Sequence, residues 1–252
     1  MVLGRAYPAH AQVSGTYRVA IAIAKGSIAL TTRGQWRGAE RLPTDGGFLV
    51  CANHISHADP FAVTRFLWDN GHPPYFLAKE DMFDWPVFGR IMRGAEQIPV
   101  RRGSAHAADA YRQAVEAVDA GRCVVVMPES TITTDPLQWP MVGKTGAARI
   151  GLATGRPVIP LAQWGAQFVR HRRHRPDRGL RVVSRMLAGP PVPLEDLRRR
   201  VVDAPLLRVA TDRIMDAITA ELETLRGEKA PRGRWDRAAG RRVLRDELGE
   251  KA

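Results

Sequence analysis

The stretch Cys-Ala-Asn-His-Ile-Ser-His-Ala-Asp-Pro-Phe at 51–61 brings two histidines, an asparagine and an aspartate close together. The apolar run at 48–52 ahead of it has strand length, so Asn53, His54, His57 and Asp59 fall at a strand's C-terminal end. In open α/β sheets that is where ligands bind. Asp59-Pro60 reads as a helix start, because Asp suits the N-cap and Pro the first helical position. A histidine five residues before an aspartate can fold back so that the carboxylate takes the Nδ1–H. Nε2 is then left as a base, and a substrate that brings its own hydroxyl needs no serine nucleophile. Two other readings stand beside this one. His54 could hydrogen-bond a loop while Asp59 caps a helix, or His54, His57 and Asp59 could ligate a metal. The metal reading lacks the usual i, i+4 pairing and an obvious fourth ligand set.

Three further clusters end strands or open helices. At 124–136 an apolar run leads into Pro128-Glu129-Ser130-Thr131. A carboxylate and two hydroxyls there suit a polyol or polar head group, or form a plain turn. At 98–103, Arg101 and Arg102 leave another strand end. Paired guanidiniums match the oxygens of a phosphate, although a lone pair of arginines is more often just exposed. Lys144 lies just ahead of a helix N-terminus, a position that favours anions.

The elements that must position these groups alternate along the chain. Strands are expected at 48–52, 75–79, 95–100, 123–127, 157–164 and 180–189. Helices are expected at 14–35, 62–70, 86–93, 104–120, 145–155 and 205–226, the clearest being 104–120 with Ser104 at its N-cap. This order predicts an α/β fold with a mixed, mainly parallel central sheet flanked by helices. The N-terminal helix ahead of it is expected as a membrane-associating helix, with docking on the core as the alternative. Three segments are expected: 1–41 helical, 42–226 the α/β domain, and 227–252 a basic tail. The tail reads as a solvated helix or a frayed end.

The 252 residues carry 38 Lys and Arg against 26 Asp and Glu, a formal net charge of +12. That excess calls for an anionic partner, whether nucleic acid, an anionic membrane or a phosphorylated ligand. A hydrophobic content of 44% excludes a disordered chain. Two cysteines, Cys51 and Cys123, exclude a disulfide scaffold and read as reduced core residues. The most apolar stretch, 19–30, is interrupted by Lys25 and is shorter than the roughly 20 residues a spanning helix needs. The protein is therefore expected in the cytoplasm unless a membrane surface holds it. On a continuous helix, Arg18, Lys25, Arg33 and Arg37 fall within an arc of about 120°. They could meet head groups while Val19, Ile21, Ile23, Ile28 and Leu30 enter the acyl boundary, or the helix could pack on the sheet as core.

The order N-H-x-x-x-x-D, I-P-V-x-R, P-E-x-T and V-I-P-L resembles the four blocks of the glycerolipid acyltransferase family, best known for its 1-acylglycerol-3-phosphate acyltransferases. The resemblance runs from about Leu42 to Gly165. It implies that His54 is the general base and that Asp59 orients it. It implies that Arg101 and Arg102 meet the glycerol phosphate, with Asn53 and Lys144 also in the substrate site. Glu129, Ser130 and Thr131 would bind or position the acceptor, and Val158, Ile159, Pro160 and Leu161 would line the acyl-donor region. The family's third block usually reads P-E-G-T-R-S, whereas here Ser130 replaces the glycine and Ile132 the cation.

The resemblance further implies a fatty acyl donor, acyl-CoA or acyl carrier protein, and a lysophospholipid acceptor, first lysophosphatidate. Another lysolipid or hydroxylated acceptor is the alternative, given Ile132. No metal or organic cofactor is required. The expected place is the cytoplasmic face of the membrane, with an anionic lipid surface as partner. A basic nucleic-acid-binding protein is the runner-up, but the chain lacks the patterns of such modules and that reading gives no role to a His–Asp pair. A hydrolase lacks the G-x-S-x-G elbow.

Overall fold

Phe48–Ala52 forms a central strand because all five of its side chains are buried. A strand covered on both faces reads as a continuous apolar run, not as an alternation. The computed structural model describes residues 12–100, 107–169, 180–244 and 247. In chain order the strands of the main sheet are β1 (Thr32–Arg37), β2 (Phe48–Ala52), β3 (Pro74–Lys79), β4 (Ile98–Val100), β5 (Cys123–Val126), β6 (Val158–Trp164) and β7 (Val182–Ala188). They lie in the order β1-β7-β6-β2-β5-β3-β4. Every pairing is parallel except β6 with β7. The helices are α1 (Gly15–Thr31), α2 (Asp59–Asp69), α3 (Phe88–Gly94), α4 (Ala107–Asp119), α5 (Gly146–Thr154), α6 (Glu195–Arg198) and α7 (Ala204–Arg226).

Alternate strand residues feed two core layers, as the period of two in a strand requires. Leu49, Cys51, Val124 and Val126 pack with Ala114 and Val118 of α4, Ile150 of α5, and Ile214 and Ile218 of α7. Phe48, Val50, Cys123, Val125 and Ile159 pack with Val63, Phe66 and Leu67 of α2. The two cysteines thus sit on opposite faces of the sheet, and both are unpaired thiols. Burial pushes both thiols well above the ordinary cysteine range.

The N-terminal region differs from the single helix expected at 14–35. The helix stops at Thr31 and the chain continues as edge strand β1. In β1 only Thr32, Gly34 and Trp36 turn inward, while Arg33, Gln35 and Arg37 are exposed. Two consecutive β-branched residues, Thr31 and Thr32, mark the switch. Arg33 and Arg37 therefore do not continue a helical stripe. Lys25 pairs with Asp69 of α2. One face of α1 is core: Tyr17, Ala20, Ile21 and Ile28 are buried. Ser14 caps the helix by accepting the Tyr17 N–H at 3.1 Å. The Tyr17 hydroxyl donates to the Pro74 carbonyl at 2.6 Å, and its ring packs against Trp68 and Tyr75. α1 thus begins beside β3 at one side of the sheet and runs into β1 at the far edge. Its 17 residues span about 25 Å, close to the roughly 24 Å of the five strand spacings from β3 to β1.

The tail also departs from expectation. After α7 ends on Gly227 in the left-handed region, the chain forms a hairpin of β8 (Arg234–Asp236) and β9 (Arg241–Val243). Arg234 pairs with Asp212 and Asp216 of α7. Arg234 and Arg242 are drawn to the buried acids Asp212 and Asp135, which neither a frayed end nor a solvated helix would do.

If α1 belongs to the cooperative core, Tyr17→Phe should cost about 1 kcal/mol, the net worth of its hydrogen bond. Tyr17→Ala should cost about 3–5 kcal/mol, as for other large aromatic truncations. Urea unfolding followed by far-UV CD measures both. A Tyr17→Ala midpoint equal to wild type would place α1 outside the core.

Candidate active site

β2 ends at Ala52, and the next two residues do different work. Asn53 is fully buried. Its side chain accepts the Gln163 N–H at 2.8 Å and donates to the Gln163 carbonyl at 3.1 Å, while the Gln163 side chain donates to the Asn53 carbonyl at 2.7 Å. This exchange ties the ends of β2 and β6, so Asn53 holds the backbone and presents nothing to a ligand. His54 follows, with 17% of its side chain exposed.

Asp59 has no exposed side-chain surface. Its Oδ2 accepts from His54 Nδ1 at 2.9 Å, from the Ile55 N–H at 2.6 Å and from the Ser56 N–H at 2.8 Å, and its Oδ1 accepts the Ser56 hydroxyl at 2.5 Å. The helix start differs from expectation by one residue. Ala58 is the N-cap of α2 and Asp59 the first helical residue. The carboxylate turns back to the 54–56 turn instead of forward to the helix amides. With Asp59 accepting at Nδ1, the imidazole carries its proton there and a lone pair at Nε2. His57, by contrast, is exposed. Among the described residues no three His, Cys, Asp or Glu groups converge as a metal site.

The backbone of His54 is held on both sides from the 128–142 segment. Its N–H donates to Glu129 Oε1 at 2.9 Å, and its carbonyl accepts the Thr133 N–H at 2.7 Å. Glu129 Oε2 accepts the Met141 N–H at 2.9 Å. Glu129 is therefore buried with both oxygens on backbone amides, and it anchors the site instead of facing an acceptor. Burial pushes its carboxyl from 4.5 to about 8. The two amides pull the other way, and the neighbouring Asp59 and Asp135 add a smaller upward push. Ser130 has φ of 60°, in the left-handed region. That backbone explains why glycine suits this place in the third block, since a side chain there is strained. Thr131 is half-buried beside it.

The Lys144 N–H donates to the Pro128 carbonyl at 2.9 Å, so this exposed cation sits at the end of β5 just before α5. Arg101 and Arg102 lie outside the described residues, as do Ser104 and the basic excursion at 170–179. β4, which precedes the two arginines, is parallel to β3 and points its C-terminus to the same end of the sheet as β2, three strand spacings or roughly 14 Å away. Val158, Ile159, Pro160 and Leu161 are buried in β6, between β2 and β7. An acyl chain has no surface to reach on them, so the expectation that they line the donor region does not match their surroundings. Ser56, Thr133, Asp135 and Gln163 were not singled out from sequence. Only Gln163 left a signal, a lone amide in an otherwise apolar strand.

The chain matches the family model described as Acyltransferase over residues 33–164, which includes every group just described from His54 to Lys144. Over 114 residues it is 32% identical to the 1-acyl-sn-glycerol-3-phosphate acyltransferase of Neisseria gonorrhoeae and 30% identical to that of Neisseria meningitidis serogroup B. Each match spans 45% of this chain and 43% of the relative, so the chain covers less than half the length of either. Among solved structures it resembles the 1-acyl-sn-glycerophosphate (LPA) acyltransferase PlsC of Thermotoga maritima, with a TM-score of 0.62 and 22% identity over 85% of this chain and 81% of that one. That likeness concerns the fold.

The Glu129 shift carries a pH dependence. Between about 4.5 and about 8 the folded chain keeps a proton that the unfolded chain has released. Stability contributed by Glu129 is thus full below about pH 4.5 and is lost as pH rises through about 8. Glu129→Gln, which has no such proton, should flatten the slope of Tm against pH over this window. Parallel curves for the two proteins would contradict the assignment.

Proposed function

The chain belongs to the acyltransferase family, and from that premise we propose that it transfers a fatty acyl chain from a thioester donor to the hydroxyl of lysophosphatidate at a membrane surface. The His54 Nδ1–Asp59 contact at 2.9 Å carries this reading. It leaves Nε2 to take the proton of the acceptor hydroxyl as that oxygen attacks the thioester carbonyl. The C–S bond of the tetrahedral adduct then breaks, and the proton passes from His54 to the departing thiolate. A thiol with a pKa near 8.5 leaves without a strong acid. A positioned base is worth about 10²–10⁴-fold, and proximity supplies more. The products are the diacyl ester and free thiol, and no cofactor takes part. The donor is acyl-CoA or acyl carrier protein. In this reading 42–226 is the acyltransferase unit, flanked by 1–41 and 227–252. Arg101, Arg102 and Lys144 meet the acceptor's phosphate, and Ser130 and Thr131 border the acceptor.

The outer surface of α1 supports a membrane surface as the place of action. Among the described residues no helix is long and apolar enough to cross a membrane. α1 instead has two apolar faces. Opposite the docked one, Val19, Ile23 and Leu30 are exposed by 60%, 55% and 81%. Their spacing places them on one ridge. Trp85 and Val87, also exposed, precede α3, which packs on α1. We read this ridge as the contact with the cytoplasmic face of the membrane, with exposed Arg33 and Arg37 on β1 as cations for anionic lipid.

Two experiments test these readings. His54→Ala should lower kcat for lysophosphatidate with palmitoyl-CoA by at least about 10²-fold, with an unchanged CD spectrum. Retention of more than about a tenth of the wild-type rate excludes His54 as the base. Running glycerol 3-phosphate and neutral lysolipids beside lysophosphatidate identifies the acceptor. For the membrane, the triple change Val19→Ser, Ile23→Ser and Leu30→Ser should reduce flotation with anionic vesicles by about tenfold or more and leave the fold intact, since each side chain gives up apolar contact worth about 1 kcal/mol or more in lipid. Undiminished flotation removes α1 from the interface.

A further inference from the structure

We propose that the C-terminal hairpin is a brace for His54 and that Arg242 is its positioning residue, an inference that rests on His54 being the base. The hairpin lies outside the matched residues 33–164. It is nevertheless joined to the site through contiguous hydrogen bonds. The Val142 N–H donates to the Trp235 carbonyl at 3.0 Å, in a short parallel bridge between Met141 and Trp235. Arg242 of β9 pairs with Asp135, whose side chain is 1% exposed. Asp135 in turn shapes the loop that reaches His54. Its Oδ1 accepts the Leu137 N–H at 3.1 Å and its Oδ2 the Trp139 N–H at 3.2 Å. The Trp139 carbonyl accepts the Thr133 hydroxyl at 2.9 Å, and the Thr133 N–H holds the His54 carbonyl. A second branch runs from Met141 through Glu129 to the His54 N–H.

Both backbone hydrogen bonds of His54 therefore come from a segment that the hairpin clamps at two points. Among the described residues Arg242 is the cation on Asp135, and this end of the sheet also holds the buried acids Asp59 and Glu129. Removing the guanidinium leaves a third buried acid beside them with two amides for partners. The cheapest relief is for the loop to open toward water. Thr133 and Met141 then move, and His54 moves with them. The imidazole stays bonded to Asp59, but its Nε2 no longer meets the acceptor hydroxyl at the productive distance. Misplacement by about 1 Å can cost about 10²-fold in rate.

The test compares full-length Arg242→Ala and Arg242→Lys with Arg213→Ala, which removes an exposed ion pair to Asp196 between α7 and α6. Arg242→Gln replaces the alanine variant if that one does not fold. Steady-state rates with lysophosphatidate and palmitoyl-CoA are measured alongside ¹⁵N-histidine NMR of the substrate-free proteins. Arg242→Ala is expected to lower kcat by about 10- to 100-fold with both KM values within about twofold. It should also move or broaden the His54 ring resonances. Arg242→Lys should recover part of the rate, and Arg213→Ala should change neither. Wild-type kcat in Arg242→Ala, or unmoved His54 resonances, overturns the brace. An active His54→Ala would overturn the base reading instead, while the resonances still report whether Arg242 holds His54 in place.

Discussion

Asp59 is a carboxyl group with no contact with solvent, and much of the site follows from the need to satisfy it. Two amides, a hydroxyl and an imidazole do so, all from residues 54–56. A turn that wraps a carboxylate this tightly has little freedom. It fixes where α2 starts, since Asp59 faces back into the turn and Ala58 becomes the cap. It fixes the ring plane of His54 as well, because Nδ1 must meet the same oxygen as two backbone amides. The helix N-terminus adds a favourable field for the negative charge.

The same end of the sheet collects two more buried acids, Glu129 and Asp135, and each is accommodated differently. Asp59 has a dense local shell. Glu129 has only two backbone amides, and its pKa is driven up to about 8. Asp135 takes a guanidinium from the far end of the chain. Parallel strands make this crowding possible, because they gather chain-distant C-termini on one edge. The net charge of +12 thus has an internal use besides any attraction to an outside anion. Arg208, Arg234 and Arg242 are each paired with a buried acid, Asp212 for the first two and Asp135 for the third.

The features legible in the sequence were those with a local signature. The apolar runs at 48–52, 123–127 and 157–164 have the length of buried strands, and their alternation with helices points to the α/β class. The His54 to Asp59 spacing announced its own hydrogen bond, because five residues suffice for one turn. β1 left no comparable trace. It is an edge strand with one polar face, and its sequence Thr-Arg-Gly-Gln-Trp-Arg has no apolar alternation. The hairpin was hidden for a similar reason. Its arginines look solvated until their partners, dozens of residues away, are known. Glu129 and Asn53 were recognised as part of the site, but sequence could not show that backbone amides and carbonyls would occupy their polar atoms.

Strand direction adds a last link between the exposed apolar ridge of α1 and the chemistry. β6 runs parallel to β2, β7 antiparallel to β6, and β1 parallel to β7. The first residues of β1 and β7 therefore lie at the end of the sheet where β2 delivers His54. Leu30 is two residues ahead of β1, and Leu180, 97% exposed, is two ahead of β7. Arg33 and Arg181 are exposed at the same end. An exposed leucine costs apolar hydration, so two beside cations at one rim form a surface matched to an acyl chain carrying an anionic head. The exposed ridge of α1 thus ends at the site's end of the sheet, where the proposed lipid acceptor would present its head group. The docked face of α1 fixes that alignment, because Tyr17 and Ile28 are buried and hold the opposite ridge of the helix outward.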